Sequence, residues 1–130
     1  MGFEVHGYDP DKGRIEIAEY IRAHQPAPIQ NLTSFSSGGW RDAKYDLVWS
    51  SHVFEHIPHD QWTGILRIFE AMGTPVLLSV PLGYAYDMPE HIHHWASPDD
   101  LRADLEKYSR MKWEMSVDES NRVIRAKGTL

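Results

Sequence analysis

The chain has 130 residues, 42% of them hydrophobic and 25% charged, with a net charge of −6 when its eight His are neutral and no Cys. That suits one domain with a single modest core, and it excludes a disulfide framework and zinc–thiolate sites. There is no Lys/Arg cluster of the kind a free nucleic-acid binder carries, and no apolar run approaches the roughly 18 residues of a membrane span.

The N-terminus has no signal-peptide pattern, and the lack of Cys fits a reducing compartment, so the cytoplasm is the expected location. Protonating all eight His would carry the charge from −6 to +2. Surface behaviour should therefore depend on pH between about 5 and 7.

Phe3–Tyr8 alternates weakly and stops at Asp9-Pro10, which reads as a strand and a turn. Arg14–His24 carries Ile17, Ala18 and Ile21 at helical spacing and ends before Pro26 and Pro28. Ile29–Phe35 is a short strand candidate, and Gly38-Gly39 makes a loop. Tyr45–Trp49 reads as a buried strand. Asp60–Met72 is the clearest helix: Trp62, Ile65, Leu66, Phe69 and Met72 share a face, and Gly73 supplies a stop.

Pro75–Val80 is almost wholly apolar, as a strand covered on both faces should be. Leu82–Ala96 is a loop rich in His and Tyr. Ser97-Pro98-Asp99-Asp100 is a helix start, with Ser as N-cap, Pro at N1 and acids in the first turn, and that helix should run to about Tyr108. Met111–Val117 and Arg122–Ala126 read as two strands of a hairpin turning at Asp118–Asn121. Alternation of strands and helices predicts an α/β fold with a mainly parallel sheet and an antiparallel C-terminal hairpin.

In such sheets ligands gather beyond the carboxyl ends of the strands. Asp9, Ser50–His56 and Pro81–Trp95 all follow predicted strands, so they should share one rim. Asp9 either accepts hydrogen bonds from ribose hydroxyls, as acids do in dinucleotide folds, or simply starts an Asp-Pro turn. "YDLVWSSHVFEHIPHD" (Tyr45–Asp60) packs ionisable groups just after a strand. If His52–Ile57 is a helical turn, His52, Glu55 and His56 share a face, and two imidazoles with a carboxylate can hold a divalent metal.

"HVFEH" also fits the inverted zinc-protease signature, with Glu114 or Glu119 as a further acid, but Pro58 breaks the helix that signature needs. Tyr84, Tyr86 and Trp95 either stack on a substrate or pack their loop onto the sheet.

"GFEVHGYDPDKGRIEIA" (Gly2–Ala18), "YDLVWSSHVFEHI" (Tyr45–Ile57) and "LLSVP" followed by "HIHHWASPDDLRADLEKY" resemble class I S-adenosylmethionine-dependent methyltransferases of the type 11/12/23-like group. The resemblance implies a Rossmann-like three-layer sandwich, one domain over residues 1–130. It also implies methyl transfer to an oxygen or nitrogen of a small molecule, sugar or lipid-like acceptor.

It further implies S-adenosylmethionine as cofactor, bound by Asp9 at the ribose, by Ser51, and by Asn31 or Thr33 where the family has an acid. Glu55 and His56 are the implied catalytic pair. His91 stands four residues before Trp95, as a His does in the similar metal-dependent 2′-O-methyltransferases of small RNAs. That makes His52, Glu55, His56 and His91 the candidate ligand set for a divalent metal.

The family's first strand and Gly-rich loop have no counterpart before Gly2. The chain thus reads as truncated at its N-terminus, and it is expected to bind the cofactor weakly or not at all by itself. An inactive binding or assembly module is the competing reading, with a second copy or partner chain at an exposed sheet edge.

Overall fold

Val5–Tyr8 (β1) and Leu32–Ser36 (β2) pair in parallel around the helix Lys12–Ala23 (α1) in a computed structural model that describes residues 5–24, 32–36 and 44–130. These elements belong to one compact unit, Met1–Ala43, and the rest of the chain to a second, Lys44–Leu130. In the first, the turn after β1 is made by two acids. Asp9 Oδ1 accepts the Asp11 N–H at 2.9 Å. Asp11 Oδ1 accepts the N–H groups of Gly13 at 2.8 Å and Arg14 at 3.2 Å. Asp11 therefore caps α1, which is why the helix begins at Lys12 rather than Arg14.

The second unit runs Val48–Ser51 (β3), a 3₁₀ turn at Phe54–His56, His59–Met72 (α2), Val76–Pro81 (β4), Pro98–Tyr108 (α3), Lys112–Asp118 (β5) and Val123–Thr129 (β6). Its sheet has the order β3-β4-β6-β5. β3 is parallel to β4, while β6 is antiparallel to both β4 and β5. The hairpin forms as expected, but the sheet is mixed rather than mainly parallel. β6 pairs antiparallel with β4, and a short turn obliges β5 to run against β6 at the far edge of the sheet.

β3 also differs from the expected Tyr45–Trp49. Pairing begins where the Val48 N–H meets the Pro75 carbonyl at 3.0 Å and continues through Ser51 opposite Ser79. The segment before it is held by the Thr74 hydroxyl, which donates to the Tyr45 carbonyl at 2.7 Å.

α2 ends as the sequence predicts, with Gly73 left-handed at φ 64°. α3 starts on Ser97, whose Oγ accepts the Asp100 N–H. The two helices touch each other, and α3 lies against β5 and β6. Trp62, Leu66, Leu101, Leu105, Val76 and Ile124 are fully buried. The opposite face of the sheet carries Trp49 and Leu77, 75% and 38% exposed. No helix among the described residues is long and apolar enough to cross a membrane.

Two expectations test this packing. Gly128 sits opposite Trp113 in the β5–β6 ladder, and a Cβ there would come within 2.6 Å of the Trp113 ring. That ring is buried and tied by Nε1 to Ser109 Oγ at 2.9 Å. Gly128→Ala should cost about 1–3 kcal/mol in denaturant unfolding through overpacking.

At the hairpin turn, Asp118 accepts from the Asn121 side chain, the Asn121 N–H and Ser120, with Arg125 at 3.0 Å. These bonds, the Asn121 ones foremost, lower its pKa to about 2. Its contribution is present above the ordinary value of 3.8 and is lost as pH falls toward 2. Melting of Asp118→Asn should accordingly fall below wild type at pH 6 and converge with it near pH 2.

Candidate functional site

The site is built where β3 ends. The His52 N–H extends the ladder by one bond, to the Ser79 carbonyl at 2.8 Å. His52 then turns the chain with a left-handed φ of 54°, a conformation that costs a non-glycine residue roughly 1–3 kcal/mol. The helical turn expected at His52–Ile57 is therefore shorter and tighter. Only Phe54–His56 is helical, of 3₁₀ type, closed by the N–H of His56 on the Val53 carbonyl and of Ile57 on the Phe54 carbonyl. The α-helix that the protease signature requires is absent from this segment. Phe54 packs edge-on against Trp62 at 5.1 Å, and this anchoring carries the neighbouring Glu55 into the interior.

A second segment is laced to this turn. The Ile92 and His93 N–H groups both donate to the Glu55 carbonyl, at 2.8 and 3.3 Å. His93 Nε2 donates to the Ile57 carbonyl at 2.7 Å, and His56 Nδ1 donates to the Glu90 carbonyl at 3.1 Å. Carbonyls only accept, so these bonds fix both tautomers: His93 carries a proton on Nε2 and His56 on Nδ1. Burial lowers the pKa of His93 from the ordinary 6.5, against the upward pull of the Ile57 carbonyl.

The Glu55 carboxylate is completely buried, and neither oxygen has a hydrogen-bond partner. Around Oε1 stand His52 Nδ1 at 3.6 Å, His56 Nε2 at 3.8 Å and His91 Nε2 at 3.9 Å. With the His56 proton committed to Nδ1, a neutral His56 turns a lone pair toward the carboxylate. Lone pair against anion in the interior is repulsive unless a cation stands between or the imidazole takes a second proton.

His91 faces a second acid on its other side. Its Nδ1 lies 3.9 Å from Asp87 Oδ1, and Asp87 accepts from His94 Nε2 at 2.9 Å, a bond that lowers the Asp87 pKa. Donor atoms of Glu55, His56 and His91 all fall within 4.8 Å of one another. Two imidazoles and one buried carboxylate match the donor set of a transition-metal site, and the outer nitrogen of His56 has the carbonyl partner that such ligands keep. Bonds of about 2.0–2.2 Å would require the three groups to draw in slightly.

Of the four candidate ligands, three thus converge. His52 meets the same carboxylate oxygen but stands outside the trio. Its ring is partly exposed and lies edge-on to Tyr86 at 6.0 Å. His52, His56, His91 and Tyr86 line one end of a cleft of about 1050 Å³ that continues over the exposed sheet face past Ser51 and Trp49. Ser51 Oγ accepts from Ser79 Oγ at 2.8 Å.

Trp95 is only 3% exposed and donates from Nε1 to Asp104 at 2.8 Å, so its part is packing. Tyr84 is outside the cleft wall, stacked on His94 at 4.2 Å. Asp9 lies in the other unit, with Oδ2 3.8 Å from Arg14. Asn31 and the side chain of Thr33 fall outside the described residues. The sequence reading missed His93, Asp87 and the Glu90 carbonyl. One signal was present: in an extended "HIHHW" loop, His91 and His93 fall on the same side.

No protein-family model and no curated protein matches the sequence. Among solved structures, the chain is similar to the glycopeptide N-methyltransferase MtfA complexed with S-adenosyl-L-homocysteine. The TM-score is 0.75 at 12% identity, over 98% of this chain and 73% of that one. It is also similar to the S-adenosylmethionine-dependent methyltransferase SibL in its apo form, with a TM-score of 0.71 at 15% identity, over 97% of this chain and 43% of that one. A chain of the Pnkp1/Rnl/Hen1 RNA repair complex is a third, at 0.65 and 14% identity, over 98% of this chain and 32% of that one. The chain has the fold of S-adenosylmethionine-dependent methyltransferases, and it spans less than half the length of two of these three.

If Glu55 lacks a counter-charge in the metal-free protein, Glu55→Gln should melt higher than wild type at pH 8 in chelator. The expected gap is at least about 3 °C, roughly 1 kcal/mol for a chain of this size. A variant that melts lower at pH 8 in chelator would mean that the carboxylate is already satisfied.

Proposed function

We propose that this chain, with the fold it shares with S-adenosylmethionine-dependent methyltransferases, transfers a methyl group to an oxygen or nitrogen of a small-molecule, sugar or lipid-like acceptor. The acceptor would sit in the cleft beside His56. The observation that carries this reading is the knot of Glu55, His56 and His91 at the carboxyl end of the parallel β3–β4 pair, opening on that cleft. Residues 1–130 are read as one methyltransferase-like domain of Rossmann-like three-layer form.

When bound, S-adenosylmethionine would supply the methyl group, and the acceptor's proton would pass to His52 at the cleft wall or to water in the cleft. Asp9 is read as the ribose ligand, and Ser51 as a further cofactor-binding residue. Glu55 and His56 are read as the catalytic pair, acting through the ion they would hold rather than by taking the acceptor's proton themselves. His52, presented at the cleft wall by its left-handed backbone, adds a second imidazole within reach.

Glu55, His56 and His91 would hold a divalent ion, and when bound that ion would supply Lewis acidity that lowers the pKa of an acceptor hydroxyl. The orphaned buried carboxylate supports this part of the reading. Among the described residues β3 is an edge strand of its sheet, and edges invite pairing. We therefore read a second copy or partner chain as its occupant.

Calorimetric titration with S-adenosylhomocysteine tests the assignment. Saturable binding with a dissociation constant of about 1 mM or tighter, near 4 kcal/mol or more, is expected. Asp9→Ala should weaken it by about 1.5–3 kcal/mol, the net worth of a charged hydrogen bond. No heat at millimolar ligand would contradict cofactor binding by this chain.

A further inference from the structure

The two segments that supply the candidate metal ligands are far apart in sequence: Glu55 and His56 in the 3₁₀ turn, His91 in the loop before α3. We infer that His93 is the positioning residue that sets their spacing, and so the affinity of the trio for a divalent ion. The inference rests on the metal reading above and goes beyond it by naming a residue that touches no ligand atom.

His93 Nε2 donates to the Ile57 carbonyl at 2.7 Å. This is the shortest of the four bonds that lace the loop to the turn, and one of the two made by a side chain. The same carbonyl also accepts from Trp62 Nε1 at 2.9 Å, so Ile57 is gripped from α2 and from the loop at once. The His93 ring cannot swing away. It stacks on His59 at 4.0 Å and meets Trp62 edge-on at 5.6 Å. His59 in turn lies 3.4 Å from Asp104 of α3.

The grip therefore connects the turn and the loop to both helices. Because His93 is only two residues from His91, a shift of its ring moves the His91 backbone directly. Glu55 and His56 immediately precede the gripped carbonyl on the other side. Outer partners of metal ligands typically account for about 10–100-fold in metal affinity. His93 acts one step further out, on the separation of the two segments.

The test is a cobalt(II) titration of the whole chain, read by ligand-field absorption in the visible, on wild type, His93→Phe and His93→Gln. Phe keeps the stacking ring and loses the donor, whereas Gln restores an N–H donor at similar reach. Wild type should bind and show a Glu55-dependent spectrum. His93→Phe should bind about 10-fold or more weakly, with unchanged far-ultraviolet circular dichroism, and His93→Gln should recover most of the loss.

Equal affinity in wild type and His93→Phe would overturn the role of His93 while leaving the metal reading intact. So would a Gln variant as weak as Phe although folded. Absence of a cobalt spectrum in wild type would overturn both.

Discussion

The buried carboxylate of Glu55 is the constraint around which the second unit is arranged. A carboxylate removed from water without a hydrogen bond costs several kcal/mol, yet every local feature forces this one inward. Phe54 fills a slot against Trp62 and fixes the turn. The Glu55 carbonyl is taken by two N–H groups of the 90–95 loop, so the backbone cannot rotate to release the side chain. Three imidazole nitrogens then approach one carboxylate oxygen at 3.6–3.9 Å, all beyond hydrogen-bonding range. The main chain and core create the charge, and the ring nitrogens wait at a distance that suits a shared cation.

The sheet supplies the platform for this arrangement. β3 and β4 are parallel, so their carboxyl ends deliver the 3₁₀ turn and the His-rich loop to the same edge, where the two segments can lace together. The hairpin contributes from the other side. With β6 inserted beside β4, Val123 and Arg125 extend the floor of the cleft beyond Ser79. α2 and α3 bury one face of this sheet with Trp62, Leu66, Leu101 and Leu105, and Trp49 and Leu77 lie on the other, the cleft side.

Much of this was legible in the residues. α2 and α3 were readable almost to the residue because their signals are local: an apolar stripe with Gly73 at one end, and Ser97-Pro98 with two acids at the other. The hairpin was readable for the same reason. The mixed character of the sheet was not, because strand order depends on long-range pairing that no local pattern encodes. β3 was placed three residues early: Tyr45–Leu47 look like strand, but the ladder to β4 begins only where the Val48 N–H meets the Pro75 carbonyl.

Glu55, His56 and His91 were picked out together, although for a different reason from the one observed: an α-helical face was expected, and a left-handed His52 followed by a 3₁₀ turn does the work. His93 escaped because its role depends on the Ile57 carbonyl, and a backbone acceptor leaves no trace in sequence. Asp9 was read as either ribose ligand or turn starter. Its bond to the Asp11 N–H shows the turn role without excluding the other.

The most direct test of the central claim is anomalous diffraction from crystals of the protein grown with manganese or cobalt. The account predicts a single anomalous peak within about 2.5 Å of a Glu55 oxygen, His56 Nε2 and His91 Nε2, with the His56 Nδ1 bond to the Glu90 carbonyl intact. A map with no peak there, and with Glu55 instead hydrogen-bonded at about 2.8 Å to a protonated imidazole, would contradict it.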